Sequence, residues 1–261
     1  MKIVAGVIGT GIGQKHLEAI ENYKNSKVKI ICELDKKKTL ILKKRYPTKI
    51  ITNNENFIFN DKDINLVSIA SYDNYHYKQI IKGLNKNKNL IIEKPMCLNF
   101  KQLRKIYFLL NKKKNLKITS NLVLRVNSLF NYFKKATNNK NIYYIEADYI
   151  WGRKHKLFGW RSKVREYSVI YGAAIHMIDL IMWMTESKPI KVSAYGNDKA
   201  TKNSKFKKNS LIVIMLEFPN NILVKITANA SATYNHLHEI KIFSKNQTLV
   251  NNNSGSYKYE N

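Results

Sequence analysis

Lys2-Ile3-Val4-Ala5-Gly6-Val7-Ile8-Gly9-Thr10-Gly11-Ile12-Gly13-Gln14-Lys15-His16 is the stretch that decides the fold. It opens as an apolar run, continues through glycines at every second position, and leads into an amphipathic segment, Lys15–Tyr23. That order reads as strand, tight turn, helix. Glycines suit such a turn because the chain bends sharply and its backbone must come close to a pyrophosphate. The helix that opens behind it supplies N–H groups and partial positive charge for phosphate oxygens. Roughly twenty residues on, Glu33 ends the next predicted strand, where a carboxylate accepts hydrogen bonds from an adenosine ribose and repels a 2′-phosphate. Gly9, Thr10, Gly11, Ile12, Gly13 and Glu33 are therefore candidate cofactor residues, with NAD favoured over NADP. The spacing Gly-x-Gly-x-Gly is shorter than the usual Gly-x-Gly-x-x-Gly, so the third glycine is expected to pack differently. Asp35 either shares the ribose or starts the following helix.

Outward from this stretch, strand patterns at Lys2–Ile8, Val28–Glu33, Leu66–Ala70, Leu90–Ile92 and Leu116–Ser120 alternate with helical ones at Lys15–Tyr23, Lys36–Arg45, Tyr75–Leu84 and Lys101–Leu110. Alternation of this kind requires a parallel sheet with helices on both faces. Residues 1–120 are thus expected to form an α/β Rossmann domain, a doubly wound parallel sheet. Residues 121–261 have a different texture. A helix is expected at Ser128–Ala136, a long strand at Asn141–Trp151, a loop holding Gly159-Trp160-Arg161, and an apolar helix at Ser168–Met184. Strands follow at Lys191–Ala194, Leu211–Phe218, Ile222–Ala230, Glu239–Phe243 and Thr248–Val250, with Pro219-Asn220-Asn221 as a hairpin turn. This predicts a C-terminal α+β domain with a mostly antiparallel, open-faced sheet. The polar tail Asn251–Asn261 is expected to fray.

The chain has 261 residues and a formal net charge of +28. That charge raises nucleic-acid binding as a possibility, but forty of the forty-six basic residues are lysine, scattered among many asparagines. Base readout favours the bidentate guanidinium, so nucleic acid is not expected as a partner, whereas anionic small molecules are attracted. Two cysteines, Cys32 and Cys97, do not make a disulfide framework and point to a reducing cytoplasm. No window has the length or apolarity of a membrane span, and none is expected. His236 and His238 share a strand face without further ligands, so no metal is expected.

Glu93-Lys94-Pro95 follows the strand Leu90–Ile92, and Ala70-Ser71-Tyr72-Asp73-Asn74-Tyr75-His76 follows Leu66–Ala70, both at the carboxyl edge where open α/β sheets bind ligands. Together with the glycine turn, His16 beyond it, Glu33, Gly159-Trp160-Arg161 and Gly172-Ala173-Ala174-Ile175-His176-Met177-Ile178-Asp179, these stretches resemble the Gfo/Idh/MocA oxidoreductase family. The likeness runs from residue 3 to about residue 250.

The resemblance implies hydride transfer between a nicotinamide and a secondary alcohol of a sugar, cyclitol or nucleotide sugar. It adds Ser71, Asn74, His76, Glu93 and Lys94 to the cofactor residues. It makes Lys94 the group that orients the substrate hydroxyl, and His176 the general base or acid, with Asp179 orienting its ring or holding a hydroxyl. It also implies a homo-oligomer paired through the exposed sheet face. Tyr149, Trp151, Arg153 and His155 alternate along the long strand and are expected to share a face. With Trp160 and Arg161, that row offers rings and guanidinium groups to a sugar, or else packs against the helix or a partner. Many family members carry an aspartate where this chain has Gly172, so either the proton relay is altered or Tyr171 or a water takes its place. That substitution, and a chain about seventy residues shorter than family members usually are, keep open a non-catalytic NAD-binding sugar sensor.

Overall fold

The computed structural model describes residues 2–137 and 139–260; Met1, Asn138 and Asn261 lie outside the described residues. Two units form, the first reaching Asn121 and the second starting at Leu122. In the first unit, β1 (Ile3–Ile8), α1 (Gly13–Glu21), β2 (Ser26–Cys32), α2 (Lys36–Arg45), β3 (Ile50–Thr52), α3 (Asn56–Asn60), β4 (Leu66–Ile69), α4 (Asp73–Asn85), β5 (Asn89–Ile92), α5 (Phe100–Lys112) and β6 (Ile118–Ser120) follow one another. The strands pair in parallel in the order β3-β2-β1-β4-β5-β6. Ala5, Val7 and Ile31 pack with Leu17, Ile20 and Leu42 on one face, while Ile8, Ile30, Val67 and Leu90 pack with Ile58, Ile80 and Ile106 on the other. The alternation along each strand therefore builds two cores, and the sheet is doubly wound as the pattern predicts.

The short β3 and α3 were not expected. Three residues and five residues are too few for either period to show. Asp35 caps α2, accepting from the Lys38 N–H at 3.1 Å, which settles its role as a helix start.

In the second unit, α6 (Ser128–Ala136), β7 (Ile142–Ile150), α7 (Trp160–Lys163), α8 (Ile175–Thr185), β8 (Lys191–Asn197), β9 (Leu211–Phe218), β10 (Ile222–Asn229), β11 (Leu237–Ser244), β12 (Gln247–Asn252) and β13 (Gly255–Glu260) make a sheet in the order β13-β12-β11-β7-β10-β9-β8. Every neighbouring pair is antiparallel except β7 with β10. A π-helical turn, Ile170–Ala174, leads into α8, so the expected helix Ser168–Met184 starts with a wider turn. Ile145, Ala147, Val224, Ile226 and Ile242 pack beneath Phe133, Met177, Leu180 and Ile181 on one face. The other face carries polar residues, among them the pairs Lys225–Asp148 at 3.2 Å and Lys241–Glu146 at 3.1 Å.

Two expectations are corrected here. The tail does not fray: its residues 255–260 form β13, hydrogen-bonded along β12 from Asn252↔Gly255 to Gln247↔Glu260. Polar side chains do not prevent an edge strand, because the pairing is made by the backbone. The row Tyr149, Trp151, Arg153 and His155 does not share a strand face. β7 stops at Ile150, and Gly152 turns the chain with φ +57° against the Tyr234 carbonyl, where a Cβ would lie 2.0 Å away. Arg153 and His155 consequently stand in or beside a 3₁₀ turn, Lys154–Phe158.

Gly9 has φ +84°, and a Cβ there would lie 2.5 Å from the Ala70 carbonyl oxygen; around Gly11 there is open space. Gly9→Ala is therefore expected to destabilise the first unit by about 2 kcal/mol or more, and Gly11→Ala to cost under about 0.5 kcal/mol. Urea unfolding followed by circular dichroism measures both; equal costs would contradict this account of the turn.

Candidate functional site

In the first unit the site is built at the carboxyl ends of β1, β2, β4 and β5. Ile12 begins α1 with no side chain accepting from the first-turn N–H groups, and both Gly11 and Ile12 are exposed. A helix start left without a cap offers its amides to an anion. A Cβ on Gly13 would lie 3.0 Å from that of Ala70 and 3.4 Å from Val7, so this glycine sets the close approach of helix to sheet. The shortened spacing thus keeps both functions, an open backbone at Gly11 and tight packing at Gly13.

Glu33 lies just beyond β2 and is buried. One carboxylate oxygen accepts from the Thr10 N–H at 3.0 Å and from the Thr10 hydroxyl; the other accepts from the Asp35 N–H at 3.0 Å. Burial pushes its pKa up, but the hydrogen bonds from Asp35 and Thr10, with the charge of Lys38, outweigh it and leave the group below the ordinary carboxylate range. The anion expected from the motif is present, and it is joined to the glycine turn itself.

After β5, Glu93 is held from two sides. Its Oε1 accepts from His16 Nε2 at 2.9 Å and from Asn121 Nδ2 at 2.6 Å, while His16 Nδ1 lies 2.8 Å from the Ser68 hydroxyl. Burial raises the Glu93 pKa; the His16 and Asn121 hydrogen bonds and the charges of His16 and Lys94 outweigh it, and the group stays ionised. Lys94 and Ser71 are half-buried and Asn74 is exposed. Ser71 donates to Gln79 at 2.7 Å.

His76 departs from its expected place as a cofactor residue. It is fully buried, with Nδ1 2.7 Å from the Pro95 carbonyl and Nε2 3.1 Å from that of Ser71. Its ring ties the segment after β4 to the segment after β5 and has no surface left for a ligand. The motif shows that a histidine belongs there, but not which way it faces. Cys32, buried with its thiol pushed up to about 12 by burial and then by Glu55 and Glu33, has no nucleophilic character.

In the second unit, His176 is buried on α8 and stacks on Tyr149 with centroids 5.6 Å apart and rings 11° from parallel. Tyr149 also meets His238 at 4.7 Å and His236 at 5.4 Å, edge to face. Tyr149 and Trp151 are buried, while Arg153, Trp160 and Arg161 are half-buried. Asp179 is corrected in its partner. Both of its oxygens accept from the Arg125 guanidinium, Nε at 2.7 Å, so its charge is committed to an arginine that sequence reasoning did not single out. A Cβ on Gly172 would lie 2.1 Å from the hydroxyl of Tyr167, a buried ring, so Tyr167 fills the space that a longer residue would need. Among the described residues no cluster of three or more His, Cys, Asp or Glu side chains suits a metal ion, and no helix is long and apolar enough to cross a membrane.

Residues 3–121 match the family model described as oxidoreductase family, NAD-binding Rossmann fold, and residues 141–250 match the Gfo/Idh/MocA C-terminal domain. Inositol 2-dehydrogenase of Salmonella typhimurium is 25% identical over 243 residues, which is 90% of this chain and 70% of that one. Among solved structures, myo-inositol 2-dehydrogenase from Lactobacillus plantarum superposes with a TM-score of 0.88 at 19% identity, over 99% of this chain and 82% of that one. The WlbA dehydrogenase from Bordetella pertussis, solved with NADH and UDP-GlcNAcA, gives 0.83 at 17%, over 96% and 78%. The structural likenesses establish the fold.

His238 supplies a pH test of the second unit. Burial first, then His236 and Arg153, push its pKa down to about 4. In the unfolded chain it takes up a proton below about 6.5. The unfolded state therefore binds more protons between these values, and stability present above the upper one is lost as pH falls toward the lower. His238→Gln is expected to flatten this decline by on the order of 2 kcal/mol between neutral and mildly acid pH, read by urea unfolding. An unchanged slope would show that His238 is not held neutral.

Proposed function

Because the chain belongs to the Gfo/Idh/MocA oxidoreductase family, we propose that it is an NAD-dependent enzyme moving a hydride between the nicotinamide and a secondary alcohol of a sugar, cyclitol or nucleotide sugar. The observation that carries this reading is the turn at Gly9–Gly13, with its uncapped helix start, open space at Gly11, and the Glu33 carboxylate at its mouth. Those features fit a dinucleotide: N–H groups for the diphosphate and a carboxylate for ribose hydroxyls. When bound, NAD supplies the hydride acceptor or donor.

The remaining work falls to the chain's own residues. Lys94, beside the ionised Glu93, is proposed to hold the reacting hydroxyl and to stabilise negative charge on that oxygen. His176, its ring orientation fixed against Tyr149, is proposed to take or return the hydroxyl proton at a ring nitrogen. Arg125 holds Asp179 in place on the same helix as His176. Tyr149, Trp151, Trp160 and Arg161 are proposed to receive the sugar, residues 1–120 acting as cofactor domain and 121–261 as substrate domain. The polar, helix-free face of the second sheet supports assembly as a homo-oligomer, and the two free cysteines support a cytoplasmic setting.

The test is NADH formation with NAD and a panel of cyclitols, sugars and nucleotide sugars. Lys94→Ala and His176→Ala are each expected to lower kcat at least about a hundredfold while NAD affinity changes little. Unchanged turnover in both variants would remove the assigned roles. Binding of NAD and a sugar without turnover in the parent protein would favour a sensor.

A further inference from the structure

Cationic side chains converge on one region of the second unit. Lysine outnumbers arginine forty to six in this chain, yet Arg153, Arg161 and Arg165 fall within thirteen residues. Where composition favours lysine so strongly, a local run of arginine points to the guanidinium shape and not merely to charge. Arg161 has the geometry for it. Its guanidinium lies over Trp160 at 4.4 Å, Trp151 at 4.9 Å and Tyr167 at 5.8 Å, and one Nη donates to the Lys156 carbonyl at 3.4 Å. Rings beneath the plane fix its orientation and leave N–H edges to meet a planar or tetrahedral anion in a forked pair.

The neighbours add to this. Gly152 turns the chain after Trp151 so that Arg153 and Lys156 follow directly. His236 Nδ1 lies 3.1 Å from the Trp151 carbonyl, and His236 and His238 are 5.1 Å apart against Tyr149. The charges of Arg153 and Arg161 reach Tyr149 and Lys156, and that of Arg153 reaches both histidines. Among the described residues, no carboxylate lies within ion-pair distance of Arg153, Lys156 or Arg161. Arg125 in the same unit, by contrast, is paired in full with Asp179. The half-buried Arg153 and Arg161 and the exposed Lys156, like charges held together without a counter-ion, are matched to an anion from outside.

We propose that Arg153, Lys156 and Arg161, grouped around Tyr149, Trp151 and His236, form a subsite for an anionic group of the substrate. Resting on the dehydrogenase reading above, this makes the substrate a charged sugar, either a sugar carboxylate or a sugar joined to a diphosphate, and disfavours a neutral cyclitol.

Calorimetric titration of the full chain, with and without saturating NAD, against D-glucose, D-glucuronate and UDP-glucose tests it. At least one anion is expected to bind ten or more times tighter than glucose, glucuronate identifying a carboxylate source and UDP-glucose a diphosphate source (order of magnitude for one forked ion pair). The Arg153→Gln/Arg161→Gln double variant is expected to lose that advantage, the affinity for the anion falling by a larger factor than the affinity for glucose. Lys43→Gln/Lys44→Gln removes the same two charges from the exposed end of α2 and is expected to leave the advantage intact. Equal affinity for all three sugars, or equal loss in both double variants, would overturn the proposal and leave only the general field of a basic protein. Absence of NAD binding would instead sink the dehydrogenase reading, since the anion preference is measured without NAD as well.

Discussion

The end of β1 and the end of β4 lie so close that only a hydrogen atom fits between the Gly9 Cα and the Ala70 carbonyl. That constraint fixes much else in the first unit. β1 and β4 are neighbours, but the chain leaves them toward opposite faces: α1 packs with Leu17 and Ile20 on one core, α4 with Ile80 and Leu84 on the other. A crevice opens at such a divergence, and the glycine turn sits at its mouth. A side chain at Gly9 would push the two strand ends apart and carry the start of α1 with them.

Electrostatics then give the crevice its polarity. The start of α1 is left uncapped, while two carboxylates, the buried Glu33 and the half-buried Glu93, stand nearby in the same sheet edge, each kept ionised by donors that outweigh the cost of burial. Burying a carboxylate without such partners would neutralise it. Glu33 is tied to Thr10 and Asp35; Glu93 to His16 and Asn121. His76 closes the arrangement from beneath by engaging the carbonyls of Ser71 and Pro95. The segment carrying Lys94 is therefore held by hydrogen bonds from α1, α4 and the end of β6.

The parts that could be read from the sequence are those governed by local periodicity and by backbone geometry. α2, α6 and β9 occur at the expected boundaries, where capping and turn residues mark them: Asp35 before α2, Asn127 before α6 and Pro219 after β9. The glycine turn was legible because Gly9 and Gly13 stand where a side chain would crowd the backbone or the sheet, and the acid after β2 because it follows the turn at the spacing of the motif. What was hidden depended on distant neighbours. The Arg125–Asp179 pair joins residues fifty-four positions apart. Tyr167 filling the space at Gly172 depends on a π-helical turn that no spacing reveals. The expected row of four side chains failed at Gly152, whose positive φ answers to the Tyr234 carbonyl across the sheet. β13 was missed because an edge strand is paired through its backbone while its side chains read as a polar tail.

All of these features serve a single physical claim, that the backbone from Gly9 to Gly13 receives a diphosphate while Glu33 receives an unphosphorylated ribose. Calorimetric titration of the intact protein with NAD and with NADP measures it directly. The account predicts NAD binding, with NADP weaker by at least about tenfold, since a 2′-phosphate would meet an ionised carboxylate. Binding of neither dinucleotide, or tighter binding of NADP, would contradict it.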